Sequence, residues 1–138
     1  MSGPERPLPQ KIRELAQLIR ADQLRPQTAQ TPGMVRHEAL HTGKMWIGTA
    51  KTQPQFVSGW HHHGVYESAI YVVEGAIRVE GGPGGKHVID GGPGDFVWVP
   101  AGVIHRESNP SGAEQTIVLV RAGQGDFVVN VDGPEPED

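Results

Sequence analysis

From Thr31 to Val131 the apolar residues come in runs of strand length, each closed within a few positions by glycine or proline. That punctuation confines the chain to β architecture, because a helix long enough to bury a face needs an unbroken stretch of ten or more residues. Met45–Thr52, Gln55–Ser58, Ser68–Glu74, Ala76–Glu80, Lys86–Asp90, Phe96–Val99, Thr116–Arg121 and Phe127–Val131 are the predicted strands. Ser68–Glu74 is rich in β-branched and aromatic residues, and Ala76–Glu80 alternates apolar Ile77 and Val79 with charged Arg78 and Glu80, as a half-exposed strand does. The 19 glycines and 12 prolines are spread between the runs, as in Gly81-Gly82-Pro83-Gly84-Gly85, so they read as turns and not as disorder. Seven to nine short strands at near-even spacing fit a sandwich or a closed barrel.

The flanks differ. Residues 1–9 carry three prolines and read as a flexible arm. In Gln10–Leu24, Ile12, Leu15, Ala16 and Ile19 fall at helical spacing and Pro26 closes the segment, which predicts one N-terminal amphipathic helix. Asp132–Asp138 holds four acids and two prolines and is expected to fray. The expected organisation is an arm and helix over 1–30, a barrel over 31–131 and an acidic tail over 132–138.

Charge and composition narrow the function. A formal charge of -4 leaves no basic stripe to neutralise phosphates, which argues against nucleic acid. No run approaches the roughly 18 apolar residues of a membrane span. The stretch Met1–Pro7 lacks the apolar core of a secretory signal, so cytoplasmic residence is expected. There are no cysteines, so any metal must be held by nitrogen and oxygen donors.

Seven histidines are present, three of them adjacent in Gly59-Trp60-His61-His62-His63-Gly64-Val65-Tyr66-Glu67. On an extended strand His61 and His63 point to one face and His62 to the other. Glu67 lies four residues past His63 and reaches the same point if the chain bends at Gly64. In a second segment, Gly94–Asn109, a strand runs into Pro100-Ala101-Gly102, and His105 emerges from that turn at the start of a returning strand. From there His105 reaches the same interior point from another wall. Imidazoles and a carboxylate so gathered suit iron, manganese, nickel, copper or zinc. Asn109 is placed to hold the following loop through its amide. His37, His41 and His87 read as surface residues. Glu107 shares the parity of His105, as an outer hydrogen-bond acceptor for a ligand imidazole or, by preference, as an exposed charge.

These residues resemble the cupin superfamily, and within it the small bacterial cupins. The pattern G-x5-P-x-G-x2-H-x3-N is met at Gly94, Pro100, Gly102, His105 and Asn109, and the first motif is met at His61, His63, Glu67 and closing Gly75. Two departures stand out. Gln55 occupies the place of the first motif's opening glycine, and Glu67 precedes Gly75 by eight residues instead of seven, which a one-residue bulge near Gly64 would absorb. The alternatives are a three-histidine site without Glu67, or His62 replacing a neighbour.

The resemblance implies a cupin jelly-roll β-barrel holding one divalent transition metal through His61, His63, Glu67 and His105. Fe2+ is preferred, with Mn2+, Ni2+, Zn2+ or Cu2+ as alternatives. It further implies a metal-dependent enzyme on a small polar organic molecule, of dioxygenase type or an isomerase or lyase, with Glu67 as a detachable base. The other class is a non-catalytic small-molecule-binding or sensor cupin. A homodimer is expected by the same resemblance.

Overall fold

Period-two alternation governs the long strands. In Glu67–Glu74 the side chains of Ser68, Ile70 and Val72 are buried while Glu67, Ala69 and Tyr71 are exposed, and in Gln115–Ala122 every second residue from Gln115 to Arg121 is buried. The computed structural model describes residues 15–27, 32–123 and 128–137. In it the strands are β1 (Arg25–Pro26), β2 (Met34–His41), β3 (Met45–Thr52), β4 (His61–His62), β5 (Glu67–Glu74), β6 (Ile77–Gly81), β7 (His87–Gly91), β8 (Phe96–Val99), β9 (His105–Ser108), β10 (Gln115–Ala122) and β11 (Val129–Asn130).

They assemble into two antiparallel sheets, one in the order β1-β2-β3-β10-β5-β8 and the other β11-β4-β9-β6-β7. The inward residues of both form one core of Met34, Trp46, Ala50, Ile70, Val72, Ile77, Val79, Val97, Val99, Ile117 and Leu119. Ile70, Val72, Ile77 and Ile117 are essentially sealed. Truncating one such isoleucine to alanine costs about 2–5 kcal/mol.

Three expectations are corrected. The strands do not close into a barrel; the hydrogen-bonded ladders end at β1 and β8 in one sheet and at β11 and β7 in the other. This is the double-sheet jelly roll, in which two faces share a core without a continuous ring. The N-terminal helix is not found over the described part of its range. Leu15 and Leu18 are 80% and 71% exposed, and the only helical turn there is a 3-10 turn at Ala21–Gln23. A short helix is marginal unless its apolar face is buried, and these leucines bury nothing. Gln10–Glu14 lie outside the described residues. The third correction is Gln55–Ser58, which forms no strand; it turns at Gln55 and meets β9 through an isolated bridge between Val57 and Ser108 and hydrogen bonds between Ser58 and Glu107.

Gln55 explains that turn. It has φ 65°, a left-handed conformation costing a non-glycine residue about 1–2 kcal/mol. The family's first motif has glycine at this place. Here the Gln55 amide offsets the strain by donating to the carbonyls of Pro110 and Ser111 at 3.2 and 2.9 Å.

Candidate metal centre

β4 and β9 lie side by side in the smaller sheet, and their register sets His61 directly opposite His105. The chain then leaves β4 through Gly64, whose φ is 60°, and this turn carries His63 inward beside His61. On the other side Gly102, with φ 75°, reverses the chain so that β9 begins at His105. Ring centroids are 4.4 Å apart for His61 and His105, 4.9 Å for His61 and His63, and 5.1 Å for His63 and His105. All three histidines are buried.

The fourth member is Glu107, two residues past His105 on the same face of β9. Ligand atoms of His61, His63, His105 and Glu107 all lie within 4.8 Å of one another. Metal–nitrogen and metal–oxygen bonds of roughly 2.0–2.2 Å put donors on one ion about 3–4.4 Å apart, so the group is close to the size an ion needs. It could hold one.

Hydrogen bonding orients two of the rings. His61 Nδ1 and His105 Nδ1 each lie 2.9 Å from a backbone carbonyl, of Gly59 and Val103 respectively. A carbonyl only accepts, so both Nδ1 atoms carry a proton and both Nε2 atoms point inward. Those Nε2 atoms face Glu107 Oε2, at 3.6 Å from His61 and 3.4 Å from His105. His105 Nε2 is sealed from solvent and has no hydrogen-bond partner among the described residues. Buried ring nitrogens gathered on a carboxylate form a set that could hold a metal ion or share a proton with the carboxylate.

The electrostatics agree. Burial pushes the Glu107 carboxyl up, but the adjacent His105 and His61 outweigh it and hold the group well below the usual carboxylate range. Burial likewise pushes the His61 imidazole down, and Glu107 with the Gly59 carbonyl reverses this, leaving a net rise. Glu107 is therefore a carboxylate, the form a metal requires.

Glu67, the acid expected from the sequence, is not in the group. It starts β5 on the outward parity, opposite to Ser68, and accepts a hydrogen bond from Trp98 Nε1 at 2.7 Å. No bulge near Gly64 turns it inward, and the spare residue is absorbed by placing Ser68 on the buried face. The acid that joins the histidines had a visible signal: Glu107 repeats after His105 the same two-residue spacing that relates His61 to His63. The expectation of an exposed charge gave too little weight to that parity.

His62 faces away, its Nδ1 accepting the Gly64 N–H at 3.0 Å. His41 and His87 are exposed and His37 is half-buried; none joins the group. Asn109 is fully buried and clamps the next loop as expected. Its Nδ2 donates to Ala113 and Gln53 carbonyls at 2.8 and 3.1 Å, and its Oδ1 accepts from Ser111 N–H and Oγ–H at 3.1 and 2.8 Å.

Two sheets in jelly-roll order with a buried three-histidine, one-glutamate group define a protein of the cupin type. The family model for the cupin domain matches residues 48–121, just over half of the 138 residues, and the chain belongs to that family. Solved structures share the fold. The polyketide cyclase RemF from Streptomyces resistomycificus is 18% identical with a TM-score of 0.69, over 86% of this chain and 87% of that one. KdgF from Halomonas sp. is 23% identical with a TM-score of 0.64, over 80% and 96%. An uncharacterized protein with a double-stranded β-helix domain from Klebsiella pneumoniae is 18% identical with a TM-score of 0.66, over 86% and 99%. A search of curated proteins gave no significant match. Among the described residues no helix is long and apolar enough to cross a membrane.

Proposed function

We propose that this chain is a metal-dependent enzyme acting on a small polar or enolisable organic molecule, with His61, His63, His105 and Glu107 holding one divalent transition-metal ion. The observation that carries the reading is the gathering of ligand atoms of His61, His63, His105 and Glu107 within 4.8 Å of one another, with His105 Nε2 buried and without a hydrogen-bond partner among the described residues. Glu107 takes the part that the sequence assigned to Glu67. When bound, such an ion supplies open positions for O2 and substrate side by side, as in a dioxygenase, or a Lewis acid for isomerase or lyase chemistry. Fe2+ and the dioxygenase reading come first, because three imidazoles and one carboxylate suit Fe2+ and leave it positions to fill. The likeness to a polyketide cyclase supports enolisable substrates.

The chain's own residues do the remaining work. The Gly59 and Val103 carbonyls fix two imidazoles before anything binds, which lowers the cost of assembling the site. A cavity of about 440 Å³ opens beside His61, His63 and Glu107, the volume of a small-molecule site. Its walls include Met34, Trp46 and Phe56, which exclude water from a bound substrate. Glu107, at the edge of this cavity, is the carboxylate placed to take a substrate proton.

The test is elemental analysis of protein purified without added metal or nickel resin, beside His105→Ala. Wild type is expected to retain about one ion per chain and the variant to lose it. Retention of metal by the variant rejects the site. Anaerobic Fe2+ loading followed by O2 then separates oxygenase chemistry, which consumes O2 with substrate, from turnover without it. A binding module would give ligand-dependent thermal shifts and no turnover.

The homodimer belongs to the same proposal. Phe96 and Trp98 are 76% and 65% exposed on edge strand β8, beside Tyr71 on β5, and an apolar edge of this kind suits a second copy. Sedimentation of wild type against Phe96→Ser/Trp98→Ser decides it, with dissociation to monomer expected.

A further inference from the structure

β10 carries an arginine where its pattern calls for an apolar residue. Along Gln115–Ala122, Ile117, Leu119 and Arg121 share the inward face, and Arg121 is only 7% exposed. It stands opposite Trp46 on β3, with its guanidinium 5.6 Å from that ring. Its Nε is sealed from solvent and has no hydrogen-bond partner, and no carboxylate forms an ion pair with it among the described residues. Burial pushes the guanidinium down to about 10 against the opposing charge of Glu107, which still leaves it a cation at neutral pH.

A buried, unpaired cation is costly to keep. Desolvating a charge without a partner costs several kcal/mol, so a fold that retains one ordinarily has a use for it. Arg121 lines the cavity beside His61, His63 and Glu107, and Arg36 on β2 lines it too, adding like charge. The one carboxylate among the lining residues, Glu107, is already turned to the histidines. The rest of the wall is largely apolar, with Met34, Trp46, Phe56, Ile117 and Leu119.

We infer that Arg121 receives a carboxylate of the substrate, so that this cavity takes small organic carboxylates and turns their uncharged portion toward the apolar wall. The inference rests on the proposed enzymatic site for its meaning, but the anion receptor itself needs no metal. The planar guanidinium fork matches a carboxylate with two parallel hydrogen bonds, and the low-polarity surroundings strengthen them. An inorganic oxyanion would satisfy the charge and leave the apolar wall unfilled.

The test uses metal-free protein with acetate, malonate and succinate as probes, malonamide as the neutral control and inorganic phosphate as the competing anion. Binding is read by thermal shift and calorimetry. At least one carboxylate is expected to raise Tm in wild type, and malonamide is not. Arg121→Met is expected to weaken that carboxylate roughly tenfold or more, with Arg121→Lys between the two. Without any probe Arg121→Met is expected to melt no lower than wild type, because it removes a buried charge that no hydrogen-bonded ion pair holds.

No carboxylate binding in wild type would overturn the inference, as would equal binding by Arg121→Met or tighter binding of phosphate. If Arg121→Met does not fold, Arg121→Lys and the malonate–malonamide contrast decide alone. Metal content measured in the same variants keeps the two readings apart: failure of the metal site appears as an ion-free wild type, whereas failure of the receptor appears as carboxylate indifference with metal retained.

Discussion

His61 and His105 are direct partners across the antiparallel β4–β9 pair, with ring centroids 4.4 Å apart. A ladder position is among the most rigid placements a fold offers, since each residue is held by backbone hydrogen bonds on its own strand and its neighbour's. Both rings are further pinned through Nδ1 by carbonyls two residues upstream. The position of these two rings is thus built into the sheet by backbone register.

Exchanging the two candidate acids separates them. Glu107→Gln is expected to weaken metal retention at least roughly tenfold, because it replaces a buried carboxylate facing two imidazoles with a neutral amide. Glu67→Gln is expected to leave metal content unchanged and to disturb only the Trp98 hydrogen bond, read as a change in tryptophan fluorescence. The reverse pattern would return Glu67 to the site.

His62 provides the parity control. His62→Ala is expected to keep wild-type metal content, since its ring turns back to the Gly64 N–H and away from the other histidines. Loss of the ion there would mean that strand parity around β4 is shifted by one residue.

Chelation links the ion to stability. Whatever binds only the folded state stabilises it, so stripping metal from wild type with a chelator is expected to lower Tm. The same treatment of His105→Ala is expected to change nothing. Equal shifts in both proteins would place the ion elsewhere.

Asn109 holds the loop after β9 by four short hydrogen bonds from a fully buried amide. Asn109→Ala leaves several buried polar groups unpaired and is expected to cost about 2–4 kcal/mol, seen as a fall in denaturation midpoint. A loss below about 0.5 kcal/mol would show that the loop is held by other contacts.

Gly75 closes the first motif with φ 82°, and a Cβ there would lie 2.8 Å from the Glu114 carbonyl oxygen. Gly75→Ala therefore meets both backbone strain and a backbone overlap, and is expected to cost about 2 kcal/mol or more in chemical denaturation. A neutral result would mean that the β5–β6 turn relaxes freely.

Much of this protein follows from local pattern. Met45–Thr52 and Phe96–Val99 are strands with the predicted bounds, because alternation and flanking turns leave little choice there. The second motif also reads directly, since glycine at a left-handed turn and histidine at the following strand start are local requirements. β2 did not show itself. Met34–His41 lacks regular apolar alternation, and it is a strand because it pairs with β3, which places Arg36 at the cavity. The helical spacing of Leu15 and Ile19 misled in the opposite sense, for periodicity stabilises a helix only when a surface exists to bury it.

What the chain alone determined, then, is the β architecture, the three histidines and the turns that aim them, all set by side-chain period and backbone sterics within a few residues. Tertiary structure decided the acid. Along the chain Glu67 is the favoured acid and Glu107 reads as an exposed charge, and the register of β4 on β9, together with the inward parity of Ser68 on β5, brings Glu107 to the imidazoles and sends Glu67 to Trp98. It also decided that Arg121 is buried without an ion-pair partner among the described residues, because burial is a property of both sheets together and of neither strand by itself.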